Sequence, residues 1–287
     1  MAAAALLAGC QGTSTDGNGG NGGVGNSGNS GGNGNTFNSD GPDGGNGNPG
    51  VGNGSDGASG VDGASGGSYS DPDAVAGSGR LTSRTIDLSG VTSVVAGANF
   101  VVHLTMGGPA QATVRMDDNL TDRIEATVTG HELRLGIKPG ARVRNATLIA
   151  EVTVGQLDRL AADGVSKVTL GSPVTGSALQ LLVNGVSEIT GSVGVDHLEA
   201  SESGASLMAL SGRAGSLHLT VAGTSQLRDQ GLTVADLDAL LSGASQATVT
   251  VSDTLSATAD GASELRYRGA PQITHQQTSG VSSITPD

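Results

Sequence analysis

Residues 163–170 read DGVSKVTL, and the phrase returns as NGVSEIT (184–190), SGASLMAL (203–210), SGASQATV (242–249), DGASELRY (260–267) and SGVSSIT (279–285). Aligned on its glycine, the phrase falls at Gly164, Gly185, Gly204, Gly223, Gly243, Gly261 and Gly280, steps of 21, 19, 19, 20, 18 and 19 residues. Two residues on, every copy has a serine: Ser166, Ser187, Ser206, Ser225, Ser245, Ser263 and Ser282. Four residues after each glycine stand Val168, Ile189, Met208, Leu227, Ala247, Leu265 and Ile284, all apolar. Six residues before five of the glycines stand Leu179, Leu198, Leu217, Leu237 and Leu255, and two residues after those come Leu181, Ala200, Leu219, Ala239 and Ala257. Apolar residues at alternate positions on both arms have the period of a β-strand.

Short strands at a step near 19 residues, punctuated by glycine, describe a solenoid in which each copy is one turn of coil. Stacking the turns buries a continuous core that no single turn can close. The fold class expected is therefore all-β: a single-stranded parallel β-helix with about 19–20 residues per turn. A right-handed coil is the expectation, although no residue fixes the hand. The phrase itself reads as the corner. Asp, Asn and Ser fold back on their own backbone, and glycine accepts positive φ without steric cost. Parallel strands lie about 4.8 Å apart, so seven turns span roughly 29 Å, and the serines form a column of hydroxyls. Such a column either satisfies backbone groups within the corners or faces outward as a repetitive binding strip. The neighbouring column of Lys167, Glu188, Leu207, Gln226, Gln246, Glu264 and Ser283 is chemically mixed, which disfavours lattice matching.

Residues 80–160 are β-patterned without the 19-residue step; RTIDLSG, FVVHLTM, ATVRM, IEATVTG, ELRLGI and TLIAEVTV alternate or run apolar between turn residues. They read as the N-terminal turns and cap of the same domain, 80–287, whose repeat turns occupy 161–287. A solenoid needs a cap over its first exposed edge. DDNLTDRI, 117–124, is the one place where a helical turn is expected. At the far end Pro286 cannot donate to a ladder.

The N-terminal part is of another kind. Residues 11–79 hold 25 glycines among 69 residues, with Asn, Ser and Asp as most of the rest. Such a segment buries too little apolar surface to offset the entropy of ordering, so a disordered tether is expected, spanning roughly 45 Å as a Gly-rich coil. It carries seven acids and no bases. The whole chain has 27 acids and 14 bases, net −13, so 20 acids remain against 14 bases outside the tether. No basic footprint exists to neutralise phosphates, which argues against nucleic acid as a partner.

Residues 1–10, MAAAALLAGC, end in Leu7-Ala8-Gly9-Cys10, which resembles the lipobox of bacterial lipoproteins. The resemblance implies a lipoprotein signal segment with Cys10 as the lipid attachment site. Cys10 has no second cysteine to pair with, and a polar tether begins immediately after it. The apolar run Ala2–Ala8 is short and no Lys or Arg precedes it, so the expectation is that translation starts upstream of Met1. No run of 18 apolar residues is present. Two or more acyl chains would anchor the chain to a membrane stably.

Together the serial GxS phrase, the opening RTIDLSGVTSVVAGANFVVHLT and the DDNLTDRI segment resemble the autotransporter adhesin head domain family, the GIN domain, over roughly Arg80 to Thr285. The resemblance implies an extracytoplasmic β-solenoid, often carried on bacterial envelope lipoproteins, and supplies no catalytic residues. No translocator barrel follows the repeats in this sequence, so a lipoprotein form is expected rather than an autotransporter.

A search for chemistry finds little. Asp117 and Asp118 are adjacent in a turn and diverge, and Asp163 and Asp260 lie five copies apart, so neither pair makes the close carboxylates of glycoside hydrolysis. His103, His131, His197, His218 and His275 show no metal-ligand spacing; His197 and His218 could lie on neighbouring turns, without an evident third ligand. No catalytic residue, metal or cofactor is expected. The function expected is that of a non-enzymatic, lipid-anchored envelope protein presenting its solenoid for adhesion, or for binding a surface polymer or protein. The alternatives are a carbohydrate-active enzyme on the same scaffold, and a structural envelope component without a specific ligand.

Overall fold

The computed structural model describes residues 73–287. Cys10 and nearly all of the Gly-rich segment lie outside the described residues.

From Arg159 onward the chain winds as a solenoid of parallel strands in register. The coil that begins at Gly185 shows how sequence makes the shape. Its inward residues are Ser187, Ile189, Val193, Val195, Leu198, Ala200 and Glu202. Alternation breaks at Gly191-Ser192, at Asp196-His197 and again at Gly204, so each coil has three short faces joined by three corners. Corresponding residues stack. One interior column runs Val102, Val168, Ile189, Met208, Leu227, Ala247, Leu265 and Ile284. Another runs Leu179, Leu198, Leu217, Leu237 and Leu255. All are buried. At about 1.5–3 kcal/mol for each fully buried aliphatic side chain, these columns are what offsets the entropy of ordering the chain.

The corner glycines stack too. All seven have positive φ, between 70° and 89°. At each corner the amide after the glycine donates to the carbonyl of the glycine in the preceding coil, as Ala205 N–H does to Gly185 at 2.8 Å and Ala262 N–H to Gly243 at 2.7 Å. Glycine serves twice here, for the left-handed backbone and for the close approach of one coil to the next.

The column extends one coil further than the repeat suggests. Ala98, with φ 61°, occupies the glycine position below Gly164, and its carbonyl accepts the Val165 amide at 2.6 Å. Phe100 takes the serine position and is fully buried. This coil, made by Ser93–Ala96 and Val101–Met106, is separated in sequence from the next because the cap is inserted between them. Beneath it pair Glu132–Ile137 and Leu148–Val154, again parallel.

The cap departs from a purely parallel coil. Leu81–Asp87 runs antiparallel to Gln111–Asp117, which runs antiparallel to Leu148–Val154, and Ile124–Thr129 forms a hairpin with Glu132–Ile137. These antiparallel strands cover one end of the stack and protect its edge. A single 3-10 turn, Asp118–Leu120, lies within DDNLTDRI. The fold also begins earlier than Arg80. Val75–Ala76 pairs with Val143–Arg144, and Gly79 N–H donates to Asp117 at 2.7 Å. The short apolar run Ala74–Ala76 is masked in sequence by the glycines around it. Asp117, fully buried, also accepts Thr147 N–H at 2.7 Å, so one carboxylate ties two loops of the cap together.

Coil length varies away from the glycine column. Between Leu227 and Thr233 the chain bulges relative to the following coil. Asp229 closes the bulge, its Oδ1 accepting Gly231 N–H and Leu232 N–H at 2.6 Å each and its Oδ2 accepting the Thr250 hydroxyl at 2.7 Å.

Candidate binding face

The columns of side chains at the corner behave differently. The serines point inward: Ser166, Ser187, Ser206, Ser225, Ser245 and Ser263 are buried, and Ser282, in the last coil, is partly so. Their hydroxyls serve the corners. Ser166 and Ser263 donate to the carbonyls of Asp163 and Asp260 at 2.7 Å, and Ser206 donates to Ser225 Oγ at 3.0 Å. They are structural groups and offer no surface strip. The side chains between glycine and serine do face solvent, Val165 and Val186 at 63% and 62% exposure. Lys167 and Glu188, in the mixed column, form an ion pair at 2.9 Å.

Another face, built by the segments that end at each corner, carries a stacked polar pattern. On it alternate residues point inward as the Leu179–Leu255 column, and the residues between them form two outward columns. One runs Ala178, His197, Ser216, Asp236, Thr254 and Gln272; the other runs Arg159, Gln180, Glu199, His218, Asp238, Ser256 and His275. Register places these side chains one coil apart, so they bond along the axis. Arg159 Nε donates to Gln180 Oε1 at 3.1 Å, and Gln180 Nε2 to Glu199 Oε2 at 3.1 Å. Further along, His218 Nδ1 and Asp238 Oδ2 lie 3.1 Å apart, and Ser256 donates to Asp238 Oδ1 at 3.1 Å. In the first column His197 Nδ1 lies 2.8 Å from Ser216 Oγ, and Thr254 donates to Asp236 at 2.5 Å.

The line of bonds is interrupted between Glu199 and His218. There the face dips into an open depression of about 370 Å³, lined by Asp158, Ala178, Leu179, Gln180, His197, Leu198, Glu199, Ser216 and His218, with more apolar than polar surface exposed to it. The two histidines expected on neighbouring turns are there, each held through Nδ1 by the next coil. Glu199 lies beside them, a juxtaposition that only the register discloses. Among the described residues no three His, Cys, Asp or Glu side chains are placed to hold a metal. Asp163 and Asp260 sit at corners, as their spacing implies. Asp163 accepts from Asn184 at 2.8 Å and Asp260 from Ser279 at 2.5 Å, each bridging two coils. Asp118 is half-buried and pairs with Arg80 at 3.2 Å; the Ser78 hydroxyl, ahead of Arg80, holds its carboxyl below the usual carboxylate range.

Comparison with known proteins agrees with this architecture. Residues 75–271 match the family described as "Putative auto-transporter adhesin, head GIN domain". The fold is similar to that of a "putative adhesin" from Bacteroides fragilis, with a TM-score of 0.68 and 21% identity, covering 74% of this chain and 100% of that one. It is also similar to a "putative adhesin" from Parabacteroides merdae, with a TM-score of 0.62, 19% identity and coverage of 75% and 99%. A "Putative lipid binding protein" from Parabacteroides distasonis has the same fold, with a TM-score of 0.61, 17% identity and coverage of 74% and 99%. No curated protein matches the chain.

Proposed function

Since the chain belongs to the auto-transporter adhesin head GIN domain family, we propose that it is a non-enzymatic, surface-exposed adhesin-like lipoprotein. Cys10 anchors it through lipid, the Gly-rich segment tethers it, and the solenoid is displayed beyond the membrane surface. The polar face holding His197, Glu199, Ser216 and His218 is its contact surface for an envelope or extracellular polymer or protein.

The observation that carries this reading is the coil-to-coil bonding of that face. Side chains already fixed by neighbours lose little rotamer freedom when a ligand docks, and preorganisation of this kind lowers the cost of binding. The depression at Glu199 and His218, where the line of coil-to-coil bonds is interrupted, is the place on this face where a ligand docks. Its shallow, open form suits an extended partner better than an enclosed small molecule.

The test is binding of the full chain to a glycan array and to envelope extracts, beside a Ser216→Arg variant that fills the depression from an outward position. The expected result is a ligand bound by the wild type and lost, by tenfold or more, in Ser216→Arg at unchanged melting temperature. Equal binding by both proteins would remove this face from the mechanism.

A further inference from the structure

One interior group does not belong in an apolar stack. Two residues before the corner glycine an inward column runs Ala96, Ala162, Val183, Glu202, Val221, Leu241 and Ala259. Every member is fully buried, Glu202 included. Neither carboxylate oxygen of Glu202 has a hydrogen-bond partner.

Its surroundings offer no cation to hold a charge. Val183 and Val221 flank it in the column, Ala200 precedes it, and the corner beside it is lined by Ser187, Ser206 and Ser225. None of these titrates. Asp117, the other fully buried acid among the described residues, belongs to the cap, and Lys167, Glu188 and Glu199 occupy outward positions on the coils around it. An ionised carboxyl placed there would lose its hydration with no cation, and only the Met208 N–H and the Ser206 hydroxyl, to set against the loss, and proteins relieve that cost by neutralising the group.

We propose that Glu202 is carried as a neutral carboxylic acid inside the coil, so that rising pH loosens this turn and weakens the whole stack through the near-neutral range. Burial pushes its carboxyl up to about 8, against the weaker pull of the Met208 N–H and the Ser206 hydroxyl, neither of which bonds to it. In the unfolded chain the same carboxyl gives up its proton near 4.5. Between these values the folded state binds more protons than the unfolded state, so stability is full below about 4.5 and falls as pH rises to about 8. The folded-to-unfolded ratio drops about tenfold per pH unit across that window and levels off above it. The device acts on the binding face directly, because Glu202 shares its strand, Glu188–Glu202, with His197 and Glu199.

The experiment is equilibrium unfolding of the full chain from pH 5 to pH 9, for wild type, Glu202→Gln and Glu202→Val, with infrared spectra of the native proteins at pH 6.5. Valine is the residue of the adjacent coils at this position, so Glu202→Val keeps the test open if the glutamine variant folds poorly. The expected result is a wild-type unfolding midpoint that falls through the window, a flatter profile in either variant, and a protonated-carboxyl stretching band present only in the wild type. A wild-type profile parallel to those of the variants, or a native wild type lacking the band that Glu202 should give, would overturn the proposal.

Discussion

A β-carbon placed on Gly204 would lie 2.6 Å from the carbonyl oxygen of Gly185 in the preceding coil, nearer than such atoms approach in folded proteins. The same obstruction recurs at each stacked corner glycine, and in every case the obstructing atom is backbone. Gly204→Ala therefore meets two penalties, a positive φ of 89° and a clash that no side-chain rotation relieves. The expected loss is about 2 kcal/mol or more, read as a lower midpoint in chemical denaturation. Gly231→Ala is the control. Its φ of 99° carries the backbone strain, but open space surrounds the new methyl group, so its loss should be the smaller of the two. Equal losses would show that coil-to-coil contact plays no part.

Asp117 makes a second prediction. Its carboxylate accepts the amides of Gly79 and Thr147, which belong to different loops of the cap. Charge-assisted bonds of this kind contribute about 1.5–3 kcal/mol each, and removing the acceptor leaves two donors without partners. Asp117→Ala should lower stability by about 2–4 kcal/mol and open the cap to proteolysis near residues 77–79 and 145–147. Resistance equal to the wild type would show that the cap holds without this tie.

The proposed tether and lipid anchor give the third prediction. If Cys10 bears lipid, Cys10→Ser moves the protein from the membrane fraction to the soluble fraction. Continued sedimentation with membranes would contradict lipid attachment.

The repeat made most of the coil legible, because glycine, serine and the leucine columns recur at one step. The serines' direction was left open, although parity alone carries it. Ser166 stands two residues before Val168, and residues two apart in a strand share a face, so an inward valine carries the serine inward. Glu202 follows from the same rule: it stands two residues after Ala200, and its column holds small or aliphatic residues in the neighbouring coils. The coil below Gly164 was hidden for a different reason. Ala98 and Phe100 replace the glycine and serine of the phrase, and the inserted cap destroys the step. The antiparallel pairing inside the cap leaves no mark on a single strand's alternation, since cap and coil strands alike bury one face and expose the other. The cluster of His197, Glu199 and His218 depends on register between coils, which spacing along the chain approximates without specifying.

The bulge at Asp229–Gly231 bears on how such a protein can change over generations. Coils of 18 to 21 residues share one stack here, and in the coil from Gly223 to Gly243 the surplus is expelled at a corner far from the glycines, where Gly231 has vacant space beside it. Additions and losses of a residue or two can accumulate at that corner while the glycine spine keeps strict time. A lineage is thereby free to remodel one flank of the molecule, or to graft a new loop there, without renegotiating the interior.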